Sequence, residues 1–401
     1  MPPLSHADLR AAAEFRAWNA RLRTRPPTKR PLATLRRARG DLDRVGRDVE
    51  ATAGVPRWRQ LVELWWLRQR YGHDWESYVN FQLYRPERRA LAALYVSDSQ
   101  HTFVTRWLHR AYAERGSDGP RILDKRRFPE WCAEHGLPAP PVLVEWDDGR
   151  LVHSALDDGE LPAADLFTKP ADMNQGFGAA RWRWDGAGGY VGRDGRRRTA
   201  DALRAELAAL SASMPQRTGS PRATRLLLQA ALANDPRNAP LTNGALCTVR
   251  VVTYRAPDGA PAVAVASYKM ALGDAPADNF HFGGMLAPVD VATGRLGAGV
   301  RRHGRALVPV NEHPDTGARI PGHLLAHWPA AEALARRAHA SARLCPVFGW
   351  DVALTPTGPM LLEGNIDPDP GVSQAPSGKP LGATPYLAAL NAHLRQLAPE
   401  S

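Results

Sequence analysis

With 401 residues, 44% hydrophobic and 23% charged, the chain is long enough for two or three domains and too apolar to be disordered. No run approaches the roughly 18 uninterrupted apolar residues of a helical membrane span. The start, Met1 to Asp8, lacks the basic and apolar regions of a secretory signal. The three cysteines, Cys132, Cys247 and Cys345, have neither metal nor redox spacing, so the expected compartment is cytoplasmic.

The net charge is +11, but it is unevenly placed. The first 60 residues hold 14 Lys/Arg against 6 Asp/Glu, concentrated from Arg21 to Arg47. No zinc-finger, RNA-recognition or helix-turn-helix signature accompanies this excess, so no specific nucleic-acid partner is expected. A solvated basic helix or tail is the simpler reading. Contact with a polyanion or an anionic membrane is the other.

Residues 1–115 read as mostly helical, with Pro26-Pro27 and the Gly40 region breaking the basic segment. Trp58, Leu61, Val62, Leu64, Trp65, Leu67 and Tyr71 recur at helical spacing. Tyr78, Phe81, Leu83, Tyr84, Leu91, Leu94 and Tyr95 continue the aromatic pattern, and core packing is the expected role of both groups. The turn cluster from Gly116 to Pro120 closes this first region.

Asp124-Lys125 is expected to open a helix capped by Gly136, followed by a strand over 142–144. Leu161 to Lys169 reads as a strand entering a glycine loop, Met173 to Gly178. Alternation over 181–200 predicts hairpin strands, Ala200 to Leu210 a helix, and 217–222 a linker. The last third is β-rich. Leu226 to Gln229 is one strand, and Cys247 to Tyr254 alternates into the turn Pro257-Asp258-Gly259 before Ala262 to Met270 returns. Ala330 to Ala342 is an Ala/Arg-rich helix.

The most informative segment follows. Gly349 to Leu354 and Met360 to Asn365 flank the turn residues Thr355 to Pro359 and predict a β-hairpin. Alternate residues of a strand share a face, so Glu363 and Asn365 point the same way, and pairing can bring Asp351 beside them. Two carboxylates and a carboxamide form an all-oxygen site of the kind that suits Mg²⁺. Upstream, a strand-borne Lys169 before Gly176 and Gly178 offers a fixed cation beside backbone N–H groups that can approach phosphate. No Walker A loop and no Gly-x-Gly-x-x-Gly motif is present.

The order of these parts resembles the ATP-grasp superfamily, and more closely its sugar-transfer-associated branch. The matching residues begin with Leu123 to Phe128, Gly136 to Pro140 and Phe167 to Pro170. They continue with Thr248 to Thr253, Asp278 to Gly284, Ala287 to Asp290 and His313 to Gly317. They end with Gly349-Trp350-Asp351 and Glu363-Gly364-Asn365. The resemblance spans roughly residues 120–390. It implies an α+β ATP-grasp fold, two subdomains clasping ATP, preceded by a mostly helical N-terminal domain. The expected boundaries are 1–115 for the helical domain, 116–220 for the first subdomain and 221–401 for the second.

By this resemblance Lys125 and Lys169 are the nucleotide lysines, and the Gly176–Gly178 loop covers the phosphates. Gln229, Ala231 and Leu232 lie in the hinge that meets adenine, although the acids often seen near such hinges are missing. Arg250 and Lys269 face the γ-phosphate and an acyl-phosphate intermediate. Asn279, Gly283 and Gly284 shape the acceptor side, with Arg319 a further residue there. Asp351, Glu363 and Asn365 look like ligands of two Mg²⁺ ions. The implied activity is ATP-dependent carboxylate–amine ligation through an acyl phosphate, releasing ADP and phosphate, in natural-product or cell-surface glycan biosynthesis. Its partners would be a small carboxylate and a small amine, and a homodimer is compatible with it. The alternatives are a kinase acting on a hydroxyl and a non-catalytic glycan- or polyanion-binding module.

Overall fold

The computed structural model describes residues 5–23, 46–156, 160–173, 178–273, 275, 278–280 and 283–398. Gly176 and most of the basic segment from Arg21 to Arg47 therefore lie outside the described residues. The described part of 1–115 is helical, with helices at His6–Leu22, Arg57–Tyr71, Trp75–Asn80 and Asp98–Ala113 among others. Ser5, Asp74 and Ser97 cap three of these by accepting hydrogen bonds from the first-turn N–H groups.

Among the described residues two seven-stranded antiparallel sheets follow. The first contains β1 (Val144–Asp147), β2 (Arg150–Ser154), β3 (Leu166–Pro170), β4 (Ala180–Trp184), β5 (Gly189–Val191), β6 (Arg197–Thr199) and β7 (Arg225–Ala230). Its order is β2-β1-β7-β3-β4-β5-β6, so β7 returns to the middle of the sheet. The second contains β8 (Thr248–Tyr254), β9 (Ala262–Met270), β10 (Met285–Val289), β11 (Gly299–His303), β12 (Ala306–Val310), β13 (Val347–Thr355) and β14 (Gly358–Asn365). Its order is β12-β11-β10-β9-β8-β13-β14. These helices and antiparallel sheets are the expected α+β architecture, with a helical region preceding the sheets.

The first sheet has one apolar face, whereas the second also packs Val252 and Val347 against the helical core and Leu286, Val300 and Leu307 in a further cluster on its other side. Leu166 of β3 and Leu226 and Leu228 of β7 pack with Leu203 and Leu207 of the helix Ala200–Thr218. In the second sheet Val249, Val251, Tyr268, Met270, Phe348, Trp350 and Val352 pack with Leu334 and Ala338 of the helix Trp328–Ser341. Because strand side chains alternate, the residues between these, Lys169, Arg250, Lys269 and Asp351 among them, face the other way. The N-terminal helix packs on the C-terminal one: Phe15 and Trp18 share a core with Leu387, Leu390 and Leu394.

Several elements differ from the sequence reading. The strand expected at 142–144 begins at Val144, after Pro140-Pro141 has deprived the preceding segment of two N–H donors. The strand expected from Leu161 covers only Leu166–Pro170. The helix expected to stop at Leu210 continues to Thr218, across the start of the expected linker and with Pro215 inside it. Ser211 explains part of that extension. Its hydroxyl donates to the Thr224 carbonyl (2.6 Å) and accepts from the Gly149 N–H (3.2 Å), contacts set by the fold rather than by local propensity. Lys125 sits in a turn held by Asp124, just before the helix Phe128–Glu134, and Gly136 at φ +62° ends that helix as expected.

The aromatic pattern divides. Tyr78, Phe81, Leu83, Tyr84, Leu91, Leu94 and Tyr95 are buried, as are Leu64 and Leu67. Trp58, Leu61, Val62, Trp65 and Trp66 are exposed, against the expectation of core packing for this helix. Apolar residues take up most of the circumference of the helix Arg57–Tyr71, and only the face bearing Gln60, Leu64 and Leu67 meets the protein body.

Candidate active site

The predicted hairpin is present. In β13 and β14 Asp351 pairs directly with Glu363, and Gly349 pairs with Asn365. On the other side of β13, Asp351 pairs with Arg250 of β8, and Arg250 with Ser267 of β9. Cross-strand partners project from the same face. A single row across the second sheet thus carries Ser267, Arg250, Asp351 and Glu363. Lys269 joins it from the next level, where it pairs with Thr248.

Gly364 explains how this row is held. Between Glu363 and Asn365 it points to the opposite face, where a Cβ would meet Ile122 Cγ2 at 2.6 Å and the Trp350 ring at 2.7 Å. The short helix Gly119–Leu123 is thereby allowed against β14. Gly364→Ala is expected to destabilise the protein by about 1–3 kcal/mol through overpacking. A thermal or denaturant melt checks it, and an unchanged midpoint would contradict this packing account.

The charged groups are interlocked. Arg250 makes a bidentate contact with Asp351, Nε to Oδ1 at 2.7 Å and Nη2 to Oδ2 at 3.0 Å. Lys269 Nζ lies 3.1 Å from Asp351 Oδ1 and 3.7 Å from Asp278 Oδ1. Asp278 Oδ2 accepts from both the N–H and the hydroxyl of Thr248, each at 2.6 Å. Burial alone would raise the Asp351 pKa, but Arg250 and Lys269 reverse this and hold it below the usual carboxylate range. Burial works against the charges of Arg250 and Lys269 as well. Asp351 outweighs it for Arg250, and Asp278 with Asp351 for Lys269, so both cations sit above their ordinary values. Burial pushes Asp278 up, against the pull of Lys269 and Thr248. Asn365 uses its amide hydrogens on the Gly349 carbonyl and on Glu363 Oε1, both at 3.3 Å.

The first sheet supplies the opposing charges. Phe167 and Lys169 of β3 alternate with buried Leu166, Thr168 and Pro170. Phe167 pairs with Gln229 of β7. Burial lowers the Lys169 ammonium to about 8; Glu363 opposes that shift and Lys125 adds to it. Lys125 Nζ donates to the Met173 carbonyl. At the end of β7 the Gln229 side chain donates to the Pro140 carbonyl (2.8 Å) and the Ala231 N–H to the Asp165 carbonyl (2.8 Å).

Both sheets line one cleft of about 1350 Å³. Lys125, Lys169, Gln229, Ala231, Leu232, Arg250, Lys269, Asn279, Asp351, Glu363 and Asn365 all line it. Gly178 is not among the lining residues. It has φ +73° and lies against Pro170, where a Cβ would come within 3.1 Å. Gly284 packs beneath Asn279, its N–H donating to the Asn279 carbonyl (2.9 Å), and Gly283 has φ +98°. Exposed Arg319 lies outside the lining and donates to the Pro321 carbonyl. His313 and the residues up to Gly317 form a turn, in which the Gly317 N–H donates to the His313 carbonyl (2.8 Å). Sequence reasoning assigned no role to Asp278 or Thr248, although Asp278 stands in the quoted motif Asp278 to Gly284. The signal it carries is a buried acid placed to meet Lys269.

A family model described as sugar-transfer associated ATP-grasp matches residues 105–387, a span that contains both sheets and the whole charged row. The chain belongs to the sugar-transfer-associated ATP-grasp family. This ATP-grasp chain is also similar to solved structures. One is the ADP complex of an N5-carboxyaminoimidazole ribonucleotide synthetase, at 12% identity and TM-score 0.34, covering 62% of this chain and 46% of that one. Another is an L-amino acid ligase from Bacillus licheniformis, at 13% identity and TM-score 0.36, covering 68% and 48%. A third is a D-alanine–D-alanine ligase from Bacillus anthracis, at 11% identity and TM-score 0.36, covering 69% of each chain. The chain spans about half the length of the first two. No curated protein matches it. Among the described residues no helix is long and apolar enough to cross a membrane.

Proposed function

We propose that this ATP-grasp protein is an ATP-dependent carboxylate–amine ligase acting on small molecules. The observation that carries the reading is the cleft itself. Lys125 and Lys169 enter it from one wall, and Arg250, Lys269, Asp351, Glu363 and Asn365 from the other. Lys125, Lys169, Arg250 and Lys269, among the cations that line this cavity, suit a polyphosphate. Apolar Phe167 and Leu232, beside the end of β7, suit adenine.

In the proposed reaction a substrate carboxylate oxygen attacks the γ-phosphorus of ATP. The bond to the β–γ bridging oxygen breaks and ADP leaves. The amine nitrogen then attacks the acyl carbon of the acyl phosphate. Phosphate departs, the amine loses a proton and an amide remains. Lys125, Lys169, Arg250 and Lys269 hold fixed positive charge where negative charge gathers as phosphoryl transfer proceeds. Asn279 lies on the acceptor side, above the tight turn at Gly283 and Gly284.

Among the described residues no group of three or more His, Cys, Asp or Glu side chains is gathered to hold a metal ion. The oxygen set of Asp351, Glu363 and Asn365 nonetheless fits Mg²⁺, which takes few protein ligands and the rest from phosphate and water. With the Asn365 amide hydrogens occupied, its carbonyl oxygen is the atom that such an ion would use. Asp351, Glu363 and Asn365 would hold such an ion, whose chemistry there would be to neutralise negative charge on the phosphates.

Calorimetric binding of a non-hydrolysable ATP analogue with Mg²⁺ tests the site, comparing wild type with Lys169→Ala and Glu363→Ala. Binding weakened in both variants is the expected result. No binding by folded wild type would remove the nucleotide reading. Acid–amine pairs are then screened for ADP release, and phosphate retained on the product would mark a kinase instead. The pH dependence follows from Lys169, which is charged below about pH 8 and neutral above it. An anion favours the charged form, so analogue affinity should fall by about tenfold from pH 7 to pH 9. Lys169→Arg should flatten that profile. An equal fall in the variant would assign it to another group.

A further inference from the structure

We propose that the outer face of the helix Arg57–Tyr71 seats the protein on an anionic phospholipid membrane surface. Trp58, Leu61, Val62, Trp65 and Trp66 are spaced i, i+3, i+4, i+7, i+8 and form one stripe. They are 69%, 39%, 61%, 65% and 43% exposed. A contiguous exposed apolar stripe of this kind marks a contact surface. At 100° per residue, Arg57 and Arg68 border one edge of it and Arg59 and Arg70 the other.

The single acid of this helix, Glu63, is turned away from the stripe. It accepts from the Tyr78 hydroxyl (2.7 Å) and pairs with Arg59 (2.8 Å) and Arg89 (2.6 Å). Arg57 pairs with Glu50 (3.3 Å) at one edge, so Arg68 and Arg70 are the flanking arginines outside these ion pairs, and the helix itself turns no carboxylate outward. Tryptophan rings settle at the headgroup level of a bilayer, and flanking arginines reach anionic headgroups while their stems cover apolar surface. Charge complementarity selects a lipid surface over a neutral protein groove, because residues 1–56, ahead of the helix, add 12 Lys/Arg against 6 Asp/Glu. The opposite face of the helix packs Leu64 and Leu67 into a core with Trp75, Tyr78 and Tyr84. Insertion of the stripe would therefore seat the protein body and not a loose tail.

The test is co-sedimentation of the full chain with vesicles of phosphatidylcholine alone and of phosphatidylcholine with phosphatidylglycerol. Binding to the anionic vesicles, reduced by salt, is expected. Trp58→Ser combined with Trp65→Ser should weaken it by about tenfold while leaving ATP-analogue binding and the melting temperature unchanged. Equal binding by the double variant would assign the attraction to the basic N-terminal segment alone and overturn the role of the helix. Absence of binding to anionic vesicles would overturn it too. So would a wild-type dimer in light scattering that the variant loses, since the stripe would then be covered by a second copy.

Discussion

Glu363→Gln is expected to lower ATP turnover by on the order of a thousandfold while leaving the fold intact. Glutamine keeps the shape of the side chain and one oxygen but removes a full negative charge from the cleft wall. Glu363 stands directly across from Asp351 and two residues from Asn365 on the same face. Asp351 is already matched by Arg250 and Lys269, so Glu363 is the carboxylate of the pair less committed to protein cations. An arriving Mg²⁺–phosphate assembly would meet that charge. Loss of it should therefore act on metal-dependent binding as well as on rate, which provides a second readout. The Mg²⁺ dependence of ATP-analogue affinity should flatten in the variant. Wild-type turnover, or an unaltered Mg²⁺ dependence, would remove Glu363 from the site.

The hairpin was readable from sequence because strand periodicity is local. Asp351, Glu363 and Asn365 needed only a turn between two alternating runs to be placed on one face. The same holds for Arg250 and Lys269, whose strands match the expected ones closely. What could not be read depends on contacts distant in sequence. Asp278 matters because Thr248 and Lys269 come to it across the second sheet. The helix Ala200–Thr218 outruns its local pattern because Ser211 finds partners at Thr224 and Gly149. Trp58 and Trp65 show the reverse failure. Their spacing correctly indicated a helix, but apolar spacing carries no information on which of two apolar faces meets the body. Nor do the bonds of Gln229 to Pro140 and of Ala231 to Asp165 follow from Gln229-Ala230-Ala231-Leu232. They arise from the return of β7 to the centre of the first sheet, a matter of topology.

Arg250→Met is expected to have the largest effect on stability, about 3–5 kcal/mol, because it strands a buried carboxylate. Asp351 would keep Lys269 but lose both guanidinium hydrogen bonds. The size of the loss measures the isolation of the buried carboxylate left behind more than the worth of the pair, so the decisive experiment is a cycle. Asp351→Leu alone leaves Arg250 unpaired with it, and Arg250→Met with Asp351→Leu removes both charges. If the pair is a structural liability tolerated for function, the double variant should melt closer to wild type than Arg250→Met does, yet be devoid of ATP turnover. The sign with pH follows from the depressed Asp351 pKa. Its stabilising contribution is present above the unfolded carboxylate value of about 4 and is lost as pH falls toward the folded value. The gap between wild type and Arg250→Met should accordingly be wide at neutral pH and narrow in acid. Additive losses in the cycle, with no narrowing in acid, would mean that Arg250 supports the fold through its other contacts, and the row across the second sheet would lose its electrostatic rationale.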